Sequence, residues 1–303
     1  MPSPLYIPEP VRAAIVSHID AAVGRAIGGY LSGNEDEDTL TGQLGANLRT
    51  GRHVVNANGW TWSVEYTKFR GRGSGATEKF VGADGIFEIH VRHIEGEQRK
   101  ALLFQAKNDW HQDTKLVEQA LLLSTWREAA FVLNYTPTTI EAFRLDDVIR
   151  SGGDRSQAAT TSTTLSQFLG GEFLLCRVAD LYLAYDARNR ILTWQTMSGE
   201  FVSVPFSLRS RARIAITSPD WKRPNGPRRI TKAEIHDHRM HADPEEILGV
   251  GRGASERQLS AARNALALTY HPDKFSFQDQ LLQELLKRRM QETNQAFSSV
   301  KRK

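Results

Sequence analysis

The chain has 303 residues, of which 40% are hydrophobic and 24% are charged, and it carries a formal net charge of +4 with a pI near 9.2. This composition excludes a disordered chain, and the length suits one large domain and a small one. The single cysteine, Cys176, excludes an internal disulfide and a thiolate metal cluster. Because the sequence also lacks a signal-peptide pattern and an apolar run of membrane length, we expect a cytoplasmic protein with no membrane partner.

An amphipathic helix and an acidic loop begin the chain. Apolar residues recur at every fourth position from Val11 to Ile27, and they predict a helix within residues 1–30 that ends at Gly28-Gly29. The acidic loop GNEDED follows, with Asp38 predicted as the N-cap of a helix over 39–49. These acids either form a solvated cap, or one of them, Asp38 or Glu37, extends to a metal site.

Polar residues are concentrated at the ends of two predicted strands in FVGADGIFEIHVRHIEGEQRKALLFQAKN, residues 80–108. Strands over 86–91 and 101–107 form a predicted hairpin, in which Gln105 and Lys107 share one face. Burying such a pair is costly without partners, so we expect it to act on a ligand. Asp84 and the Gln105 carbonyl are oxygen ligands for a metal, and Lys107 can orient a water or stabilise negative charge.

The remaining elements before residue 217 predict an α/β sandwich. We expect a half-buried strand over 60–69, a helix over 114–127 capped by Asp113, a strand over 129–135, a loop over 151–166 and closing strands over 201–206 and 211–217. Arg211 and Arg213 give the last strand a basic face. Arg70 precedes the Gly-rich loop GRGSGATEK, which contains Arg72, and this segment is either an ordinary surface loop or a phosphate contact.

A proline-rich basic segment, SPDWKRPNGPRR, marks a domain boundary. The cluster HDHRMH that follows could bind zinc but supplies no fourth ligand. Beyond it, helices are predicted over 244–250, 255–270 and 280–300, with a tight turn at His271-Pro272-Asp273. This pattern is typical of a small helical hairpin.

The C-terminal segment resembles the J-domain of the DnaJ co-chaperone family. The resemblance lies in Ile247-Leu248-Gly249-Val250, in Tyr270-His271-Pro272-Asp273-Lys274 and in residues 294–297. It implies that His271, Pro272 and Asp273 dock on a DnaK-type chaperone and trigger ATP hydrolysis there.

The larger segment resembles the PD-(D/E)xK nuclease superfamily, in the Mrr-type variant that has glutamine in place of the glutamate. Gly82-Ala83-Asp84-Gly85 and Gln105-Ala106-Lys107 match that pattern. The resemblance implies a restriction-endonuclease-like mixed sheet flanked by helices. It also implies that Asp84 and Gln105 bind Mg²⁺ or Mn²⁺, that Lys107 positions the attacking water, and that Asp38 completes the site.

We therefore expect an α/β protein with four parts: a helix over 1–30, a nuclease-like domain over 31–217, a linker over 218–241 and a J-domain over 242–303. The expected activity is Mg²⁺-dependent hydrolysis of DNA in a restriction or anti-phage defence system. Arg70, Arg72, Arg211 and Arg213 would bind DNA, and the J-domain would recruit a chaperone or another defence protein. The alternative is a catalytically inactive adaptor that binds nucleic acid or protein and acts through a DnaK-type chaperone.

Overall fold

The computed structural model describes residues 7–30, 36–56, 58–69, 83–94, 96–124, 126, 129–179, 181–195, 201–206, 208–221, 248, 255–269, 290–291, 293–295 and 297–300. The chain divides into two compact units. The first contains the described residues as far as Trp221, and the second contains those from Leu248 onward. Arg70, Arg72, His271, Pro272, Asp273 and the histidine cluster lie outside the described residues.

Helices flank an eight-stranded mixed sheet, as the α/β prediction required, with the strand order β1-β2-β11-β3-β4-β5-β6-β7. The described strands are β1 (Val54–Val55), β2 (Thr61–Lys68), β3 (Gly85–His93), β4 (Gly96–Asn108), β5 (Ala130–Tyr135), β6 (Ile140–Arg144), β7 (Thr163–Thr164), β8 (Ala184–Asp186), β9 (Ile191–Gln195), β10 (Phe201–Pro205) and β11 (Ser210–Thr217). Strands β8, β9 and β10 form a separate small sheet.

The described helices belong to both units, and those of the first unit flank the large sheet. They are α1 (Glu9–Tyr30), α2 (Glu37–Leu48), α3 (Thr114–Leu123), α4 (Leu145–Arg150), α5 (Arg155–Ala158), α6 (Leu165–Phe168) and α7 (Glu256–Thr269), with a 3-10 turn at Ala159–Thr161 and a π-helical turn at Leu169–Phe173. None of them combines the length and apolar character that a bilayer crossing needs, within the described part of the chain.

The predicted hairpin of β3 and β4 is confirmed, and it is the centre of the sheet. The two strands pair antiparallel, with Gly85 opposite Phe104 and His93 opposite Gly96. Strand β5 then pairs parallel to β4, so that Lys107 lies opposite Asn134. The C-terminal ends of β4 and β5 therefore meet the start of β3 at one end of the sheet.

Strand β11 was predicted to close the domain, but it lies inside the sheet. It pairs antiparallel to β2 and parallel to β3. Its two faces alternate as predicted, with Ala212, Ile214 and Ile216 buried in the core and Arg211 and Arg213 on the opposite face. Strand β10, the other predicted closing strand, belongs to the small sheet instead.

The amphipathic stripe of α1 is confirmed. Val11, Ile15 and Ile19 are fully or almost fully buried in the main core, where α1 packs against α2 and α6. The helix continues through the predicted stop at Gly28-Gly29 as far as Tyr30. The burial of its apolar stripe outweighs the low helix propensity of these glycines.

Two local predictions are wrong in detail. The N-cap of α2 is Asp36, whose carboxylate accepts the Thr39 amide at 2.8 Å, so Asp38 lies within the first helical turn. The segment over 151–166, predicted as a loop, contains α5 and the start of α6. Asp154 caps α5, and Thr164 with Gln167 forms a capping box for α6, because side-chain caps satisfy the free amides of even very short helices.

In the second unit, α7 has the predicted Ser255 cap: Gln258 N donates to Ser255 Oγ at 3.4 Å, and Ser255 N donates to Gln258 Oε1 at 2.9 Å. Arg263 of α7 donates to Asn294 Oδ1 at 3.1 Å and lies over the Phe297 ring at 5.3 Å. These contacts hold α7 against the helical residues near the C-terminus.

A buried histidine in β3 makes the stability of the first unit depend on pH. His90 is 5% exposed, and its Nε2 lies 3.0 Å from Glu97 Oε2. Burial, and then the charge of Arg99, lower the pKa of His90 to about 4. The pKa in the fold is thus below that of an unfolded histidine. The stabilisation is therefore complete above about pH 6.5 and is lost as the pH falls toward 4.

We expect this group to reduce the free energy of unfolding by about 2 kcal/mol between pH 7 and pH 5. In His90→Gln, the decrease in the free energy of unfolding from pH 7 to pH 5 should be smaller than in wild type by about 2 kcal/mol. Urea unfolding at both pH values measures this difference. His53→Gln, at an exposed position, is the control and should keep the wild-type difference. A wild-type difference retained in His90→Gln would contradict the prediction.

Candidate active site

Asp84 lies immediately before β3, where main-chain bonds to two neighbouring strands hold its backbone. Its N–H donates to Phe104 O at 2.8 Å, and its carbonyl accepts the amides of Arg209 at 2.9 Å and Ser210 at 3.2 Å. The carboxylate is 14% exposed. The position of Asp84 is therefore set by main-chain bonds to β4 and to the start of β11, and its side chain is left for other contacts.

The structure brings Gln105 to Asp84, as the sequence predicted. Gln105 Nε2 donates to Asp84 Oδ2 at 2.5 Å, and Ala106 N donates to the same oxygen at 2.8 Å. Gln105 is 4% exposed, so its polar end is satisfied within the site. The partner that a buried glutamine needs is thus the carboxylate at the start of the neighbouring strand.

Lys107 lies two residues beyond Gln105 on the same face of β4, and its partner was not predicted. Its Nζ is 3.0 Å from Asp113 Oδ2, and the lysine side chain is 12% exposed. The other Asp113 oxygen accepts Leu116 N at 3.0 Å and caps α3. The sequence identified Asp113 only as a cap; its position at the helix start following β4 was the available signal.

The pKa of Asp113 is below its ordinary value. Burial raises it, but hydrogen bonds from Lys107 and from the Leu116 amide, with the lysine charge, lower it further than burial raises it. Asp113 is therefore held as a carboxylate beside Lys107.

The first turn of α2 contains Asp38 and Glu37, the acids predicted as candidates to complete the site, and the two have different surroundings. Asp38 Oδ2 is 2.8 Å from Lys68 Nζ, and the same lysine donates to the Asp38 carbonyl at 3.2 Å. No contact with Asp84 or Gln105 is found among those described for Asp38. The contacts described for Asp38 therefore do not test the prediction that it is a metal ligand at this site.

Glu37, the alternative acid, has an electrostatic link to the site. Burial, and then the charges of neighbouring groups that include Asp84 and Glu37, raise the pKa of Tyr135. The Tyr135 hydroxyl donates to Thr41 Oγ1 of α2 at 2.9 Å. Asp84 and Glu37 therefore both disfavour ionisation of the same buried phenol.

The basic face predicted for β11 is present, but its arginines are ion-paired. Arg211 Nε donates to Glu88 Oε2 at 2.6 Å, and Arg213 Nη2 donates to Glu65 Oε2 at 2.5 Å. Nearer the site, Arg209 Nη1 is 3.8 Å from Asp84 Oδ1, and the arginine side chain is 43% exposed. Its charge is therefore more accessible than that of Arg211, which is 19% exposed.

The donor set suits a hard divalent cation in part. Mg²⁺ prefers oxygen ligands and usually binds through one or two carboxylates with several waters. Asp84 supplies a carboxylate and Gln105 an amide, although Nε2 of the amide faces Asp84; a half-turn would exchange Nε2 and Oε1. Over the described residues, no group of three or more His, Cys, Asp and Glu side chains is placed to hold a metal. Water or substrate would have to supply the remaining ligands.

In comparisons with known proteins, no family model matches the sequence, and no curated protein or solved structure matches it significantly.

Proposed function

We propose that the protein is a metal-dependent endonuclease that hydrolyses DNA phosphodiester bonds. The observation that carries this proposal is the Asp84–Gln105 contact at the end of the sheet, with Lys107 on the same strand face. A carboxylate beside a glutamine amide, with a lysine on the same strand face, is a set of side chains that suits metal-assisted phosphodiester hydrolysis. The resemblance to the PD-(D/E)xK pattern supports the same reaction and suggests the restriction-endonuclease-like fold.

Each side chain has a defined part in this proposal. Asp84 and Gln105 would hold Mg²⁺ or Mn²⁺, which when bound polarises the phosphate and lowers the pKa of water. Lys107 would hold the attacking water and donate hydrogen bonds to the negative charge that develops on the phosphate. The mobile ammonium of a lysine suits this work because its three donors rotate freely.

Exposed cations around the site would bind the DNA backbone. Lys68 and Arg209 are 45% and 43% exposed and lie beside Asp38 and Asp84. Arg211 and Arg213 would contribute only when phosphate replaces Glu88 and Glu65 as their partners. Binding should therefore weaken as salt concentration rises.

The test is cleavage of plasmid DNA in Mg²⁺ by the full chain. We expect nicked or linear product that EDTA prevents, and a fall of more than about 100-fold in Lys107→Ala, because a residue at the reacting centre should matter at least as much as an outer partner. Lys115→Ala, at an exposed position in the first turn of α3, is the matched control and should cleave normally. Equal cleavage by wild type and Lys107→Ala would refute the proposal.

A role in restriction or anti-phage defence, in the cytoplasm, follows from this activity by analogy. The C-terminal unit would then recruit or regulate the nuclease through a DnaK-type chaperone or another defence protein. This part of the proposal rests on the J-domain resemblance, whose tripeptide is outside the described residues.

The second candidate is a J-domain adaptor without catalysis. It is favoured by the helix pair of the second unit, in which Arg263 joins α7 to Asn294 and Phe297. It predicts that the full chain stimulates a DnaK-type ATPase and that His271→Gln abolishes the stimulation. Stimulation without any DNA cleavage would favour this candidate over the nuclease.

A further inference from the structure

The ion pair between Lys107 and Asp113 joins the candidate site to the start of α3. Lys107 Nζ and Asp113 Oδ2 are 3.0 Å apart, and both side chains are largely shielded from solvent, at 12% and 25% exposure. Such a pair is screened less by water than a surface pair. It can therefore hold a flexible side chain in one place.

Asp113 is a rigid partner because both its backbone and its carboxylate are anchored. Its N–H donates to Gly153 O at 3.1 Å, and its Oδ1 accepts Leu116 N at 3.0 Å. Gly153 has φ +80°, and a side chain there would collide with the Asp113 carbonyl. Helix α3 is itself fixed on the sheet by buried residues, which include Leu116 and Ala120.

A further acid, Glu141, is bonded to the residue opposite Lys107 and already has partners of its own. Lys107 lies opposite Asn134 in the pairing of β4 and β5, and Asn134 Nδ2 donates to Glu141 Oε2 at 2.9 Å. Arg155 Nη2 donates to the same Glu141 oxygen at 3.0 Å. Among the described residues, Asp113 is the acid that forms an ion pair with Lys107.

We propose that Asp113 is a positioning residue for Lys107, and this inference rests on the proposed function. A lysine has four rotatable side-chain bonds, and ordering them costs conformational entropy. The fixed carboxylate holds the ammonium on the site face of β4 before DNA binds, so less of that cost falls on the reaction. Asp113 acts through Lys107 and does not touch the substrate.

Asp113→Asn tests this idea without removing the helix cap. Asparagine caps a helix about as well as aspartate, so α3 should keep its start while the charge is lost. We expect kcat for DNA cleavage to fall about 10–100-fold, the usual range for partners that orient a reacting group, with KM changed by less than about 2-fold. Asp154→Asn, which makes the same change at the N-cap of α5, should leave kcat within about 2-fold.

A double variant separates positioning from a general structural effect. Adding Asp113→Asn to Lys107→Met should lower residual cleavage no further, because the side chain to be positioned is gone. If Asp113→Asn lowers kcat as much in the Lys107→Met background as in wild type, the residue acts in another way and the inference fails. Increased cleavage by Asp113→Asn would also overturn it, since the ion pair would then withdraw Lys107 from the site.

Chemical labelling tests the same pairing without relying on cleavage. We expect acetic anhydride to modify Lys107 several-fold faster in Asp113→Asn than in wild type, as measured by peptide mass spectrometry, because a freed lysine is more accessible. Asp154→Asn should label at the wild-type rate. If wild type cleaves no DNA but the labelling contrast appears, the pairing stands and the proposed nuclease function falls. If wild type cleaves DNA but Asp113→Asn changes neither kcat nor labelling, the inference alone falls.

Discussion

Asp84→Asn should lower Mg²⁺-dependent DNA cleavage more than about 100-fold, because residues that merely support a metal ligand already contribute 10–100-fold. The substitution removes the carboxylate charge that faces Gln105 and Arg209. A divalent cation bound there would lose the carboxylate ligand that Asp84 supplies. Loss of metal binding and loss of cleavage should therefore occur together.

The fold should survive this change. The main-chain bonds of Asp84 to Phe104, Arg209 and Ser210 do not involve its side chain. An asparagine oxygen can still accept the Ala106 amide. We expect the midpoint of urea unfolding to change little in EDTA, whereas Mn²⁺ binding measured by calorimetry should disappear.

A matched control distinguishes the site from a general charge effect. Asp186→Asn removes the same charge at a turn of the small sheet, where the carboxylate accepts the amides of Arg188 and Asn189. Its cleavage rate should stay within about 2-fold of wild type, as surface substitutions usually do. If Asp84→Asn cleaved DNA at the wild-type rate, the proposed metal site would have no part in the reaction.

The sequence predicted the centre of this site because the relevant signals are local. In β4 the two-residue period of a strand puts Gln105 and Lys107 on one face. The short connection before Gly96 aligns β3 with β4, which brings Asp84 to the level of Gln105. Local patterning and a tight hairpin were therefore sufficient to pair an acid with an amide.

The partners of the cations could not be predicted because they are distant in the sequence. Arg211 and Glu88 are 123 residues apart, and they meet only because β11 inserts beside β3. Alternation shows that β11 has a basic face, but it does not show which strands are its neighbours. The same limit explains why Arg211 and Arg213 were predicted as DNA contacts without their acidic partners.

The prediction of the N-cap of α2 was wrong for a different reason. Asp36, Glu37 and Asp38 are consecutive, and propensity alone favours an aspartate as the cap without specifying which one. The backbone decides, because Asp36 is extended, with φ −77° and ψ 164°, and its carboxylate meets the Thr39 amide. Because the cap lies two residues before the predicted one, Asp38 is in the first turn of the helix, where it pairs with Lys68.

Gly85→Ala should destabilise the first unit and damage the site at the same time. Gly85 begins β3 between Phe104 of β4 and Ser210 of β11. A methyl group there would overlap both the Phe104 ring and the Ser210 hydroxyl. Each of these neighbours is 2% exposed, so neither has room to move away. Overpacking of this kind costs about 1–3 kcal/mol of the free energy of unfolding.

The strain should spread along two routes. Phe104 packs against Phe87 and Phe131, with ring centroids 5.2 and 6.1 Å away, so its displacement would disturb the central core. Asp84 is the residue next to Gly85, and its carbonyl is bonded to the Ser210 amide. Displacement of Phe104 in β4 or of Ser210 in β11 would therefore change the position of Asp84 relative to Gln105, and a shift of about 1 Å can cost about 100-fold in rate.

Urea unfolding and plasmid cleavage, measured on the same preparations, would test both consequences. The control is Gly24→Ala, in the interior of α1, where an added methyl group meets nothing within 4 Å. That variant should be more stable than wild type by about 0.5–1 kcal/mol and should cleave normally, because alanine is the better helix former. If Gly85→Ala unfolded at the wild-type urea concentration, β3 and β11 would have space that the structure does not show. The absence of a side chain at Gly85 would then have no part in keeping Asp84 beside Gln105.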